Sequence, residues 1–125
     1  MNEPINTTWG VDDFIGSLTS VSENTLAAYR SDLVDFATWA ERGLADSPTQ
    51  VDRLILRRYL AYLGSRSYAK RSIARKASSL RRYFSWARRT GLVEIDPAVA
   101  LRAPTGEGRL PRVLDGPELP TLLEP

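Results

Sequence analysis

The sequence predicts an all-α fold: a compact four-helix bundle with a short extra helix at its C-terminal end. Three observations predict it. Apolar residues recur at steps of three and four through most of the chain. Capping residues and glycine or proline stops fall at the ends of those stretches. No convincing run alternates apolar and polar residues as a half-buried strand does. Hydrophobic residues make up 42% of the 125, enough for the one modest core of a single domain.

The elements follow in order. Residues 1–8 have no periodicity, include Pro4, and read as a flexible tail. Trp9, Val11, Phe14, Ile15 and Leu18 then predict a first helix over 10–19. Ser22 is a good N-cap with Glu23 in the first turn, and Leu26, Tyr29, Leu33, Phe36, Ala37 and Ala40 make one apolar stripe. This predicts a second helix over 23–42, with Gly43 as a left-handed C-cap. Asp46-Ser47-Pro48-Thr49 is a turn cluster. Asp52 caps a third helix over 53–63 that buries Leu56, Tyr59, Leu60 and Leu63, and Gly64 and Ser65 end it. The fourth spans 70–89, with Ile73, Ala77, Leu80, Phe84 and Ala87 as its core face and Gly91 as its stop. Asp96-Pro97, an N-cap followed by Pro at N1, opens the short extra helix through Leu101. Ala103 to Gly108 reads as a linker, after which Leu110 to Leu114 and Asp115 to Leu119 begin a new apolar pattern. The expected organisation is a domain over 9–103 and, over 104–125, a linker and the start of a second domain.

Composition excludes much chemistry. With no cysteine and no histidine, disulfides, thiolate metal sites, His triads and imidazole acid–base catalysis are absent. No Gly-rich phosphate loop or metal-ligand cluster occurs, and no carboxylate pair has a catalytic spacing. None of the five tyrosines has an evident activating base. No catalytic residue, cofactor, metal or small-molecule substrate is therefore expected. No apolar run approaches the ~20 residues of a membrane span, and Met1-Asn2-Glu3-Pro4 does not open a secretory signal. The cytoplasm is the expected address.

The net charge of +2 conceals a strong segregation. Residues 1–52 carry two arginines against nine acids, residues 53–89 carry twelve Lys/Arg and no acid, and residues 90–125 carry three basic groups against six acids. Such asymmetry points to a polyanionic partner, most often nucleic acid. On the fourth helix, positions 71, 75, 78, 82, 85 and 89 form an outward stripe: Arg71, Arg75, Arg82 and Arg89 with Ser78 and Ser85 beside them. Guanidinium forks and small hydroxyls suit a phosphate backbone, and Arg can read guanine in a major groove. A merely solvated face would mix signs at i,i+4, and this one does not. An anionic protein partner is the competing reading. Arg57 and Arg58 fit a solvated role as well as a binding one. Asn24 and Thr25 lie in the first turn of the second helix, where free amides favour phosphate, though capping alone also accounts for them. Trp39 and Trp86 fall off their helices' core stripes and read as packing against neighbouring elements.

Four segments carry a family resemblance. Ser22 to Leu33 resembles the S-x-N-T-L-x-A-Y-x-x-D-L signature of Xer-type tyrosine recombinases of the phage-integrase superfamily. Ser72 to Phe84 resembles that family's S-x-A-R-x-x-S-x-L-R-x-x-F helix, and Gly91 to Ala98 its G-x-x-x-x-(N/D)-P ending. Leu110-Pro111-Arg112-Val113-Leu114 with Glu118-Leu119 resembles the opening of its catalytic domain. The resemblance implies a SAM-like core-binding domain, half of a C-shaped clamp on DNA, whose second and fourth helices lie against the major groove and backbone. It implies DNA-binding roles for Asn24, Thr25, Arg30, Lys70, Arg71, Arg75, Ser78, Arg82 and Arg89. The implied partners are double-stranded DNA and other recombinase protomers on it, and no membrane. The family's catalytic residues, two arginines, a lysine, histidines or a tryptophan, and a tyrosine nucleophile, belong to a C-terminal domain that residues 104–125 would only begin. The chain is thus expected to bind DNA without cutting it, within a site-specific recombinase serving chromosome partition or DNA integration. The alternatives are a protein-interaction module that docks a basic helix on an acidic partner, and a standalone enzyme.

Overall fold

A computed structural model of the chain describes residues 3–103. They form five α-helices: α1 (Glu3–Trp9), α2 (Val11–Ser17), α3 (Glu23–Ala40), α4 (Arg53–Ser65) and α5 (Lys70–Thr90). A 3-10 turn, Pro48–Gln50, lies between α3 and α4, and no strand occurs among the described residues. The all-helical fold class is as predicted. The linker and second-domain start expected over 104–125 lie outside the described residues.

The long helices α3 and α5 pack on each other, and the remaining helices pack around them. Helix α3 touches all four other helices, and α5 touches α2, α3 and α4. Phe14, Phe36, Leu56, Leu80 and Phe84 are fully buried at the meeting point. Rings meet there edge to face, as Phe36 does with Phe84 and Phe14 with Tyr83, the geometry that the ring quadrupole favours.

Local signals set most helix ends. The Ser22 hydroxyl accepts from the Thr25 amide at 3.1 Å, capping α3. The Asp52 carboxylate accepts from the Ile55 amide at 2.8 Å, capping α4, which buries the four predicted residues Leu56, Tyr59, Leu60 and Leu63. Helix α5 stops at Gly91, whose φ of 85° lets the Leu92 amide reach back to the Ala87 carbonyl at 2.9 Å. All five predicted core residues of α5 are buried. Trp86 is buried against Phe14 and Tyr83, and half-buried Trp39 packs on Phe36, Tyr59 and Tyr62.

Three local expectations differ from what is seen. Most of the expected tail is helix α1. Ile5 and Trp9, one turn apart, are both buried, and the Trp9 indole donates to the Glu41 carboxylate at 2.8 Å. Pro4 falls in the first turn of α1, where a missing amide hydrogen leaves no bond unmade. Gly10, at φ 66°, then bends the chain into α2. Gly43 is not the C-cap of α3: the helix ends two residues before the predicted 42, and the Ala40 carbonyl accepts from both the Leu44 and Ala45 amides at 2.9 Å. After Asp96 a single turn replaces the short helix. The Asp96 carboxylate accepts from the Ala98 amide at 2.8 Å, the Leu101 amide bonds back to Ala98 at 3.1 Å, and both apolar side chains are buried.

Candidate nucleic-acid interface

The crossing of α3 over α5 creates a polar surface. Asn24, Thr25, Ala28 and Tyr29 of α3 face Arg75, Ser78 and Ser79 of α5 across a shallow groove of about 330 Å³. Asn24 and Thr25 are exposed in the first turn of α3, and the Thr25 hydroxyl accepts from Ser22 at 2.9 Å. Arg82 borders the groove: it donates to the Tyr29 hydroxyl at 3.2 Å, and its guanidinium stands 5.6 Å from the centre of that ring. Beyond it, Arg82 and Arg89 share a second depression with Phe14, Leu18, Arg81 and Ser85. Arg89 there donates to the Ser85 hydroxyl at 2.9 Å.

The fold thus gathers Asn24, Thr25, Arg75, Ser78 and Arg82 on one surface, with Arg89 further along α5. Lys70 and Arg71 are exposed at the N-terminal end of the same helix. Arg30 is placed differently. Its guanidinium pairs with Asp12 of α2.

Sequence reasoning missed the charged group beneath the groove. Asp32 of α3 is 1% exposed. One of its oxygens accepts from Arg75 Nη2 at 2.7 Å and Lys76 Nζ at 3.1 Å. The other accepts from Arg75 Nε at 3.1 Å and the Ser79 hydroxyl at 2.7 Å. Lys76, itself 4% exposed, also reaches Asp35 at 3.2 Å. Burial pushes the Asp32 carboxyl up, but the hydrogen bonds from Arg75, Ser79 and Lys76 outweigh it and hold the group below the usual carboxylate range. The signal was present in the spacing. Asp32 stands three and four residues from the stripe members Tyr29 and Phe36, and Lys76 three and four from Ile73 and Leu80. Helix α5 buries a wider arc than its apolar stripe, because three helices pack on it. Arg75 and Arg82 therefore lie at the edge of that arc, against α3, rather than squarely in solvent.

A wider groove lies elsewhere, about 880 Å³ between Thr49–Arg53 and the stretch 91–100. It mixes Arg53 with Asp52, Glu94 and Asp96 and gathers no cationic cluster. No group of histidine, cysteine, aspartate or glutamate suited to a metal occurs among the described residues. No described helix is long and apolar enough to cross a membrane.

The chain is similar to tyrosine recombinase XerC of Xanthomonas campestris pv. campestris, 35% identical over 117 residues that cover 91% of this chain and 36% of that protein. It is 38% identical over 112 residues to tyrosine recombinase XerC of Azotobacter vinelandii, covering 90% of this chain and 38% of the relative. The XerC of Pelobacter propionicus is 40% identical over 107 residues, with 84% and 35% covered. The chain thus spans little more than a third of the length of these relatives. No solved structure matches it. Residues 12–91, from the start of α2 to the glycine that closes α5, match the family described as phage integrase, N-terminal SAM-like domain, and the chain belongs to that family.

Proposed function

We propose that residues 9–103 are the DNA-binding module of a site-specific tyrosine recombinase, gripping duplex DNA with α3 and α5. The observation that carries this reading is the convergence of the α3 N-terminus with Arg75, Ser78 and Arg82 on one groove. The first turn of α3 supplies amides and a partial positive charge to a phosphate, with Asn24 and Thr25 as flanking hydrogen-bonding groups. Arg71 and Arg89, with Lys70, extend the contact along α5 to either side. Lys70 to Arg89 is about 28 Å of helix at ~1.5 Å per residue, close to one turn of B-DNA. Arg30 would contact phosphate beside this surface, in competition with Asp12. The complete recombinase would transfer DNA strands through catalytic groups of another domain, in company with other protomers on the DNA, in the cytoplasm. Chromosome partition or integration of mobile DNA is the role that goes with it.

The test is duplex binding by the 125-residue chain, followed by fluorescence anisotropy across a salt series. If about four phosphates are neutralised, log K falls against log[salt] with a slope near −3.6. No duplex binding at low salt, with helical circular dichroism intact, would refute the reading. A second reading, docking of α5 on an acidic protein surface, would use the exposed cations Arg71 and Arg89 of the same helix. Self-association at low salt that added DNA does not dissolve would support it instead.

A further inference from the structure

The Asp32 cluster has a geometry that charge alone does not explain. Four ionised groups, Asp32, Asp35, Arg75 and Lys76, meet within hydrogen-bonding distance, so the cluster is neutral as a whole. As a point charge, Arg75 is largely cancelled. As a directional donor it is not. Asp32 holds Nε and Nη2, one edge of the guanidinium, in a two-point grip. A guanidinium has five N–H groups, and this grip uses two of them. The Arg75 side chain is 50% exposed and lines the groove with Asn24, Thr25 and Ser78. The Asp32 side chain below it has no exposed area, and Lys76 and Ser79 saturate its remaining acceptor positions.

We propose that Asp32 is a positioning residue for DNA binding: it locks the plane of Arg75 so that the outer guanidinium edge is presented to a phosphate in the α3–α5 groove. This rests on the DNA-binding reading above. A planar fork held on one edge loses little freedom when the other edge binds, whereas a flexible ammonium on the same stem keeps the charge and loses the fork. Lys76 and Ser79 keep Asp32 ionised and still, and the phosphate meets Arg75 rather than the carboxylate.

The proposal makes a prediction of sign. Asp32→Asn raises the net charge by one, so simple electrostatics expects tighter DNA binding. Loss of the two-point grip expects weaker binding, by about tenfold, the scale of one charge-assisted hydrogen bond. Duplex affinity is measured on the full chain for wild type, D32N, R75K, the D32N/R75K double variant and D46N. The last is a charge-matched control at an exposed carboxylate between α3 and α4. Measurements are made where circular dichroism shows each variant folded. The expected result is about tenfold weaker binding for both D32N and R75K, a double variant no weaker than either, and D46N at or slightly above wild-type affinity. The R75K salt slope should equal that of wild type, because its charge is retained. D32N binding as tightly as D46N, or R75K binding as tightly as wild type, overturns the proposal while leaving the DNA-binding reading intact. Should D32N fail to fold, R75K decides alone. Failure of the wild-type chain to bind overturns both.

Discussion

Asp32 carries a stability consequence separate from any ligand. A buried carboxylate stripped of partners is strongly unfavourable, and removing one member of a buried ion pair typically costs about 3–5 kcal/mol. In the folded chain its carboxyl lies below the ordinary value, because the hydrogen bonds from Arg75, Ser79 and Lys76 overcome the effect of burial. The stabilisation is therefore complete above the unfolded carboxyl's pKa of about 3.9 and is lost as pH falls through the lower folded value. Urea unfolding at pH 7, 4, 3 and 2 should show wild type losing stability across the acidic end. Asp32→Asn should be less stable at pH 7 and show a flatter acid profile. Parallel profiles for the two proteins would contradict the assignment. This residue was not singled out in the sequence. Its spacing from Tyr29 and Phe36 is that of a buried position, but its partners lie 43 to 47 residues away on another helix, and no periodicity within α3 reveals them.

At the scale of the element, two ends of the long helices rest on single residues. The Ser22 side chain satisfies the Thr25 amide at the start of α3, so Ser22→Ala should lower stability by about 1 kcal/mol. Gly91 ends α5 at φ 85° with no atom near enough to obstruct a Cβ. Gly91→Ala should therefore lose about 1–2 kcal/mol through backbone conformation alone. Both are read from denaturant midpoints at neutral pH. A Gly91→Ala chain as stable as wild type would mean that the left-handed cap is not needed. These ends were legible because capping is local chemistry: donor, acceptor and turn lie within a few residues of each other. Helix α1 was not legible. Two apolar residues, Ile5 and Trp9, make too short a pattern to register, and α1 is held by contacts from afar, among them the Tyr83 hydroxyl donating to the Trp9 carbonyl. Asp96-Pro97 misled in the opposite direction. A cap and a proline start a turn, but one turn propagates into a helix only where further bonds follow, and here buried Ala98 and Leu101 complete the anchor within four residues.

For the whole molecule, the charge segregation is sharper on paper than in space. Part of the cationic stretch is used internally: Arg75 and Lys76 by the acidic residues of α3, and Arg81 by the Leu101 carbonyl at 2.8 Å. Arg71 and Arg89 are exposed and pair with no acid among the described residues. They should act on DNA as point charges. Arg71→Gln and Arg89→Gln should each weaken binding about equally for any duplex sequence and make the salt slope shallower by about 0.9. A variant with a changed sequence preference and an unchanged slope would place that arginine on a base edge instead.

The amino-acid sequence by itself determined the all-helical class, the placement of four of the five helices, most of their core faces, the caps at Ser22, Asp52 and Gly91, and the family, since each depends on residues a few positions apart or on a linear motif. The tertiary structure alone decided that Asn24 and Thr25 face Arg75 and Ser78, that Arg30 turns to Asp12, and that Asp32 lies beneath the groove. The physical reason is that helical periodicity states which side of a helix is apolar but not which helix will cross it. Hydrogen bonds and ion pairs between helices depend on that crossing, and it is set only when the cores of α3 and α5 pack together.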